Sequence, residues 1–143
     1  MRVYLAEDDF ALRSLIARVL QMDGHHVIQA RDGIDLMADL AAGDPPGDDM
    51  LVVSDLKMPM IGGLSVLSSL RLGPHCPPFI LMTAFATPAV RAEAEQLGVR
   101  ALFDKPFDLD DLRRVVRCIA DQRASGGRRL TSVPVDGLRG ERS

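Results

Sequence analysis

Residues 51–59 read LVVSDLKMP. Three apolar residues, two of them β-branched, suit a strand buried on both faces of a sheet, yet the run stops abruptly at Ser54 and Asp55. A carboxylate therefore closes what reads as the inside of a sheet, with Lys57 and a Met-Pro step directly behind it.

On either side of this stretch short β-type runs alternate with helical patterns, which predicts βαβ units and a parallel sheet covered on both faces. RVYLA at 2–6 is a first strand, and 10–22 then place Leu12, Leu15, Ile16, Val19 and Leu20 on one helical face, stopped at Gly24. HHVIQA at 25–30 is a second strand. Asp32 can cap a second helix carrying Ile34, Met37 and Leu40, which ends before the GDPPGDD loop at 43–49. After the central strand come a helix at 64–72 with Leu64, Leu67 and Leu70 inward and a fourth strand, FILM, at 79–82. Thr87 followed by Pro88 is a cap and first-turn signal for a fourth helix running to about Leu97, stopped at Gly98. ALFD at 101–104 is a fifth strand, and Leu109, Leu112, Val115, Val116 and Ile119 give the last helix its buried stripe. The expected fold is α/β, a doubly wound, flavodoxin-like (βα)5 sheet.

The chain of 143 residues is one domain long, with 47% hydrophobic and 26% charged residues, as in an ordinary globular protein. No stretch approaches the ~20 apolar residues of a membrane span, and MRVYLAEDD meets acids too early for a signal peptide. No membrane association and a cytoplasmic location are the default expectations. Cys76 and Cys118 have no metal-ligand spacing and read as reduced packing residues. Residues 1–121 hold 12 basic and 18 acidic side chains, whereas 122–143 hold five and two, so a body of −6 carries a tail of +3. That Arg-, Gly- and Ser-rich tail has no sustained apolar period and is expected to be disordered.

In a doubly wound sheet ligands bind outside the carboxyl ends of the strands, at the switch point of the strand order. The polar residues that end apolar runs should converge there: Glu7 and Asp8, Asp55, Thr83 and Lys105. Three carboxylates in one crevice repel, each close pair costing roughly 4 kcal/mol at ~4 Å and an effective dielectric near 20. Something cationic is required. Mg2+ takes one or two carboxylates together with waters and phosphate oxygens, and Lys105 adds a fixed positive charge. Such a set suits phosphoryl transfer, in which an aspartate such as Asp55 can form an acyl phosphate. The chain has 15 arginines and only two lysines, Lys57 and Lys105, and both lysines lie next to this site. A compact point charge at 105 fits better than a planar fork.

LAEDD, SDLKMP with IGGL after it, LMTA and FDKPF stand in the order and spacing of response-regulator receiver domains, and residues 2–121 resemble that family. The resemblance implies strand order 2-1-3-4-5 and Asp55 as the phosphoacceptor, loaded from a histidine kinase or a phosphotransfer protein. It implies a Mg2+ site made by Glu7, Asp8, Asp55 and the Lys57 backbone carbonyl. Thr83, Ala84 and Lys105 would engage the phosphoryl group, Lys105-Pro106 would be cis, and Gly63 matches the family's turn glycine, with Gly62 where an acid is common. Leu102 departs from the family, which usually carries Tyr or Phe there; Phe103 falls on the other face of the strand. Lys57 and Phe85, each two residues past a site residue, are candidates for setting the phosphoryl lifetime.

No recognisable output domain follows residue 121 in this sequence, which favours a stand-alone regulator working by protein contact. Its output surface would be the fourth helix, fifth strand and fifth helix, facing an unidentified downstream protein, with no nucleic acid expected. A phosphate shuttle or an adaptor is the near alternative. A haloacid-dehalogenase-like phosphatase also uses Asp and Mg2+, but wants a second acid two residues after its nucleophile, where Lys57 stands.

Overall fold

The computed structural model describes residues 1–43, 49–73 and 76–124. Five strands and five helices alternate: β1 (Arg2–Ala6), α1 (Phe10–Met22), β2 (His26–Ala30), α2 (Gly33–Ala42), β3 (Met50–Asp55), α3 (Gly63–Arg71), β4 (Phe79–Thr83), α4 (Pro88–Gln96), β5 (Ala101–Asp104) and α5 (Leu109–Ala124). The strands form one parallel sheet in the order β2-β1-β3-β4-β5, the doubly wound arrangement expected.

β3 is the middle strand, and all six of its residues are buried. That is why its apolar run is unbroken rather than alternating. Leu51 and Val53 point into the core shared with α1 and α5, among Leu5, Leu20 and Val116. Val52 points the other way, into the core shared with α2 and α3, among Tyr4, Leu36 and Leu67.

The helix ends follow their caps. The carboxylate of Asp9 accepts the N–H groups of Ala11 and Leu12, Asp32 accepts that of Asp35, and Thr87 accepts that of Val90, with Pro88 in the first turn. Gly24 and Gly98, at φ +94° and +78°, turn the chain out of α1 and α4 in the left-handed region that side chains avoid.

Four expectations need correction. Leu15 and Ile34, read as inward, are exposed. In α1 the buried face runs Arg13, Ile16, Ala17, Leu20, so Leu15 lies beside it; in α2 the buried residues are Gly33 and Leu36. Gly33 has no side chain to count as apolar, yet it packs against Ile61 so closely that a Cβ would run into the Ile61 carbonyl. Cys118 is exposed rather than packed, although it and Cys76 are both free thiols. The last helix also outruns the expected boundary at 121, because Gln122 is buried and its Oε1 accepts from Arg100 Nη2 at 2.6 Å, tying α5 to the start of β5. The rest of the supposed tail, 125–143, and the loop residues 44–48 lie outside the described residues.

Candidate functional site

Parallel register brings the polar strand ends to one edge of the sheet. Ala6 pairs with Ser54, Asp55 with Met82, and Thr83 with Asp104, so the residues at or just past these pairs are neighbours. Glu7, Asp8 and Asp55 each offer a carboxylate oxygen within 4.8 Å of the others. Glu7 and Asp55 are only 1% and 6% exposed, while Asp8 faces solvent. An all-oxygen set, part buried and part open to water, fits a hard divalent cation that keeps some of its hydration.

Lys105 Nζ donates to Glu7 Oε1 at 2.7 Å and to Asp55 Oδ2 at 2.9 Å. The cation that three gathered carboxylates demand is thus supplied in part by the chain itself. Burial pushes the Glu7 carboxyl above its ordinary pKa and the charge of Asp55 adds to this, against the lowering effect of Lys105 and the Asp9 N–H. Burial weighs against the Lys105 ammonium, but hydrogen bonds to Glu7 and Asp55 and the charge of both hold its pKa above the usual lysine value. The ammonium is therefore charged throughout the neutral range.

The remaining anchors are backbone. Lys105 N–H donates to the Thr83 carbonyl at 2.7 Å, and the Lys105-Pro106 peptide is cis, as the resemblance implied. Thr83 is buried and its Oγ1 accepts the Phe85 N–H at 3.1 Å, which leaves its own O–H to donate. Ala84 follows it on the surface, beside an apolar groove lined by Leu12, Leu15, Phe107 and Leu109. The Lys57 N–H reaches Asp55 Oδ1 at 3.4 Å; its side chain is exposed, and the Phe85 ring is 72% exposed.

Leu102 is enclosed among Leu81, Ala94 and Val99, while Phe103 lies on the opposite face against Phe107, with ring centroids 5.3 Å apart. One residue beside the site was not singled out in the sequence: Arg13, whose Nη1 donates to the Glu7 carbonyl at 2.9 Å. Its signal was present, since positions 13, 16, 17 and 20 form one helical stripe and a charge in that stripe needs a partner.

Residues 3–117 match the family model of the response regulator receiver domain. The chain is 28% identical to sporulation initiation phosphotransferase F of Bacillus subtilis over 116 residues, covering 81% of this chain and 90% of that protein. It is 33% identical over 119 residues to response regulator MprA of Mycobacterium avium, covering 83% of this chain but about half the length, 50%, of that relative. Among solved structures, the receiver domain of Francisella response regulator 1452 superposes with a TM-score of 0.76 at 25% identity, over 85% of this chain and 97% of that one. A match across most of the chain, on a five-stranded 2-1-3-4-5 sheet with its acidic cluster at the strand ends, makes this chain a member of the response-regulator receiver domain family.

Proposed function

We propose that Asp55 accepts a phosphoryl group from the phosphohistidine of a histidine kinase or a phosphotransfer protein, and that the loaded domain signals through protein contact. The observation that carries this reading is the cluster of Glu7, Asp8 and Asp55, closed on one side by Lys105 at 2.7 and 2.9 Å. An Asp55 carboxylate oxygen attacks phosphorus, the P–N bond to the donor imidazole breaks, and its electron pair returns to the ring nitrogen. Water later cleaves the acyl phosphate to inorganic phosphate and the free carboxylate.

Receiver domains bind Mg2+ at an acidic pocket, and here Glu7, Asp8, Asp55 and the Lys57 backbone carbonyl are the proposed holders. A bound Mg2+ would neutralise charge on the phosphoryl oxygens. Lys105 would pair with one of those oxygens, and the Thr83 hydroxyl and Ala84 N–H would donate to another. Because Leu102 is an enclosed aliphatic residue, the proposed conformational response runs through the 83–87 loop instead of an inward-turning ring. The face made by α4, β5 and α5 would carry the signal to a downstream protein.

The B. subtilis relative is named a phosphotransferase and is matched over 90% of its length, which supports passage of the phosphoryl group onward as well as an end-effector role. Among the described residues no helix is long and apolar enough to cross a membrane, and a cytoplasmic location is proposed with the function.

Incubation with Mg2+ and acetyl phosphate, read on a phosphate-affinity gel, tests the acceptor. The wild type shifts and Asp55→Asn does not. Modification that persists in the variant, or none in the wild type, overturns the assignment.

A further inference from the structure

Glu7 is gripped at every polar group it has. Its N–H donates to the Ala30 carbonyl at 3.1 Å, its Oε2 accepts the Asp9 N–H at 3.0 Å, and its Oε1 accepts Lys105 Nζ at 2.7 Å. The fourth group, its carbonyl, is taken by Arg13 Nη1 at 2.9 Å. Arg13 reaches it from the first turn of α1, 9% exposed, with Nε directed to Gln29 Oε1 on β2 at 3.3 Å and the guanidinium 5.3 Å from the Phe10 ring centroid.

A planar fork fixed at two points is a stiff device. It ties together the end of β1, the start of α1 and the edge strand β2, and the residue it holds leads directly into Asp8. We infer that Arg13 is a positioning residue for the cation site: it acts through the Glu7 backbone to fix the turn that presents the Glu7 and Asp8 carboxylates. The inference rests on the proposed Mg2+ site and deepens it, since outer residues that orient carboxylate ligands govern metal affinity.

Two effects of Arg13 oppose each other, and their signs can be told apart. By charge alone, a guanidinium near the site repels a divalent ion, so removing it should tighten binding. By positioning, removing it frees the turn and should weaken binding. The geometry favours the second, because the hydrogen bonds of Arg13 go to the Glu7 carbonyl and Gln29 Oε1.

Mn2+ suits carboxylate, carbonyl and water ligands, and its free concentration can be read directly by electron paramagnetic resonance. Titration of the folded protein, with the thermal midpoint measured alongside, is expected to show wild-type binding and about tenfold weaker binding for Arg13→Gln. Arg13→Lys, which keeps the charge and one donor, is expected in between. Gln29→Leu removes only the second anchor of the guanidinium, so it reports in the same direction should Arg13→Gln fail to fold. Equal or tighter binding in the folded variants, with the wild type binding normally, overturns the positioning role and leaves the cation site standing. Absence of Mn2+ binding in the wild type overturns both.

Discussion

At Gly63 the chain passes so close to β3 that a Cβ would run into the Asp55 backbone carbonyl oxygen and lie 3.0 Å from Leu81 Cδ2. The backbone of the proposed phosphoacceptor is braced there by an absent side chain. Gly63→Ala should destabilise the domain by ~1–3 kcal/mol, read as a lower midpoint in urea, because the Asp55 backbone carbonyl cannot give way without moving β3. Lys57 and Phe85 make the opposite case. Both follow a site residue by two positions and both side chains are exposed, so their removal should leave stability nearly unchanged. With less cover over the acyl phosphate, Lys57→Ala and Phe85→Ala are expected to speed dephosphorylation by up to about tenfold, or ~1.4 kcal/mol in the barrier. Unchanged decay of phosphorylated protein in both variants would leave them ordinary surface residues.

Among the helices, α4 has the fewest buried residues. Ala94 is its one buried residue, with Val90 half-buried against the core, and its ties include the Thr87 cap on Val90 and an ion pair from Arg91 Nη2 to Asp104 Oδ2 at 3.3 Å. Few buried contacts place an element at the low end of local stability. Thr87→Ala should cost about 1 kcal/mol and raise amide exchange across 88–96 while leaving α1 protected. Equal protection of α4 and α1 in the wild type would contradict this. The start of α4 was legible in the sequence because Thr87-Pro88 is a local chemical signal. The facing of α1 and α2 was less so, since Arg13 and Gly33 occupy buried positions that an apolar count assigns to Leu15 and Ile34.

At the scale of the whole molecule, Asp23 at the end of α1 is joined to Arg113 on α5 through contacts of 2.7 and 2.9 Å. The hydrogen bond to Arg113 is the main reason the Asp23 carboxyl lies below its ordinary pKa, and burial opposes it. A carboxylate whose folded pKa is depressed contributes stability that is present above the unfolded value of about 3.9 and is lost as pH falls through the folded one. Wild type should therefore exceed Asp23→Asn in thermal midpoint at pH 7, and the gap should close on acidification below about pH 4. A gap independent of pH would show that the pair contributes by shape alone.

The sequence by itself determined the order of the ten elements, because strand and helix periods, caps and stop glycines act over a few residues. It also determined which polar residues end the strands, and a parallel sheet must bring such ends to one edge. Only the tertiary structure decided who touches whom there. Lys105 bridges Glu7 and Asp55 across separations of 98 and 50 residues, and Arg100 ties α5 to the start of β5 through Gln122. Arg13 in α1 likewise meets Gln29 in β2 and the Glu7 carbonyl past β1. Such pairings depend on packing geometry between distant segments, and no local pattern encodes that geometry.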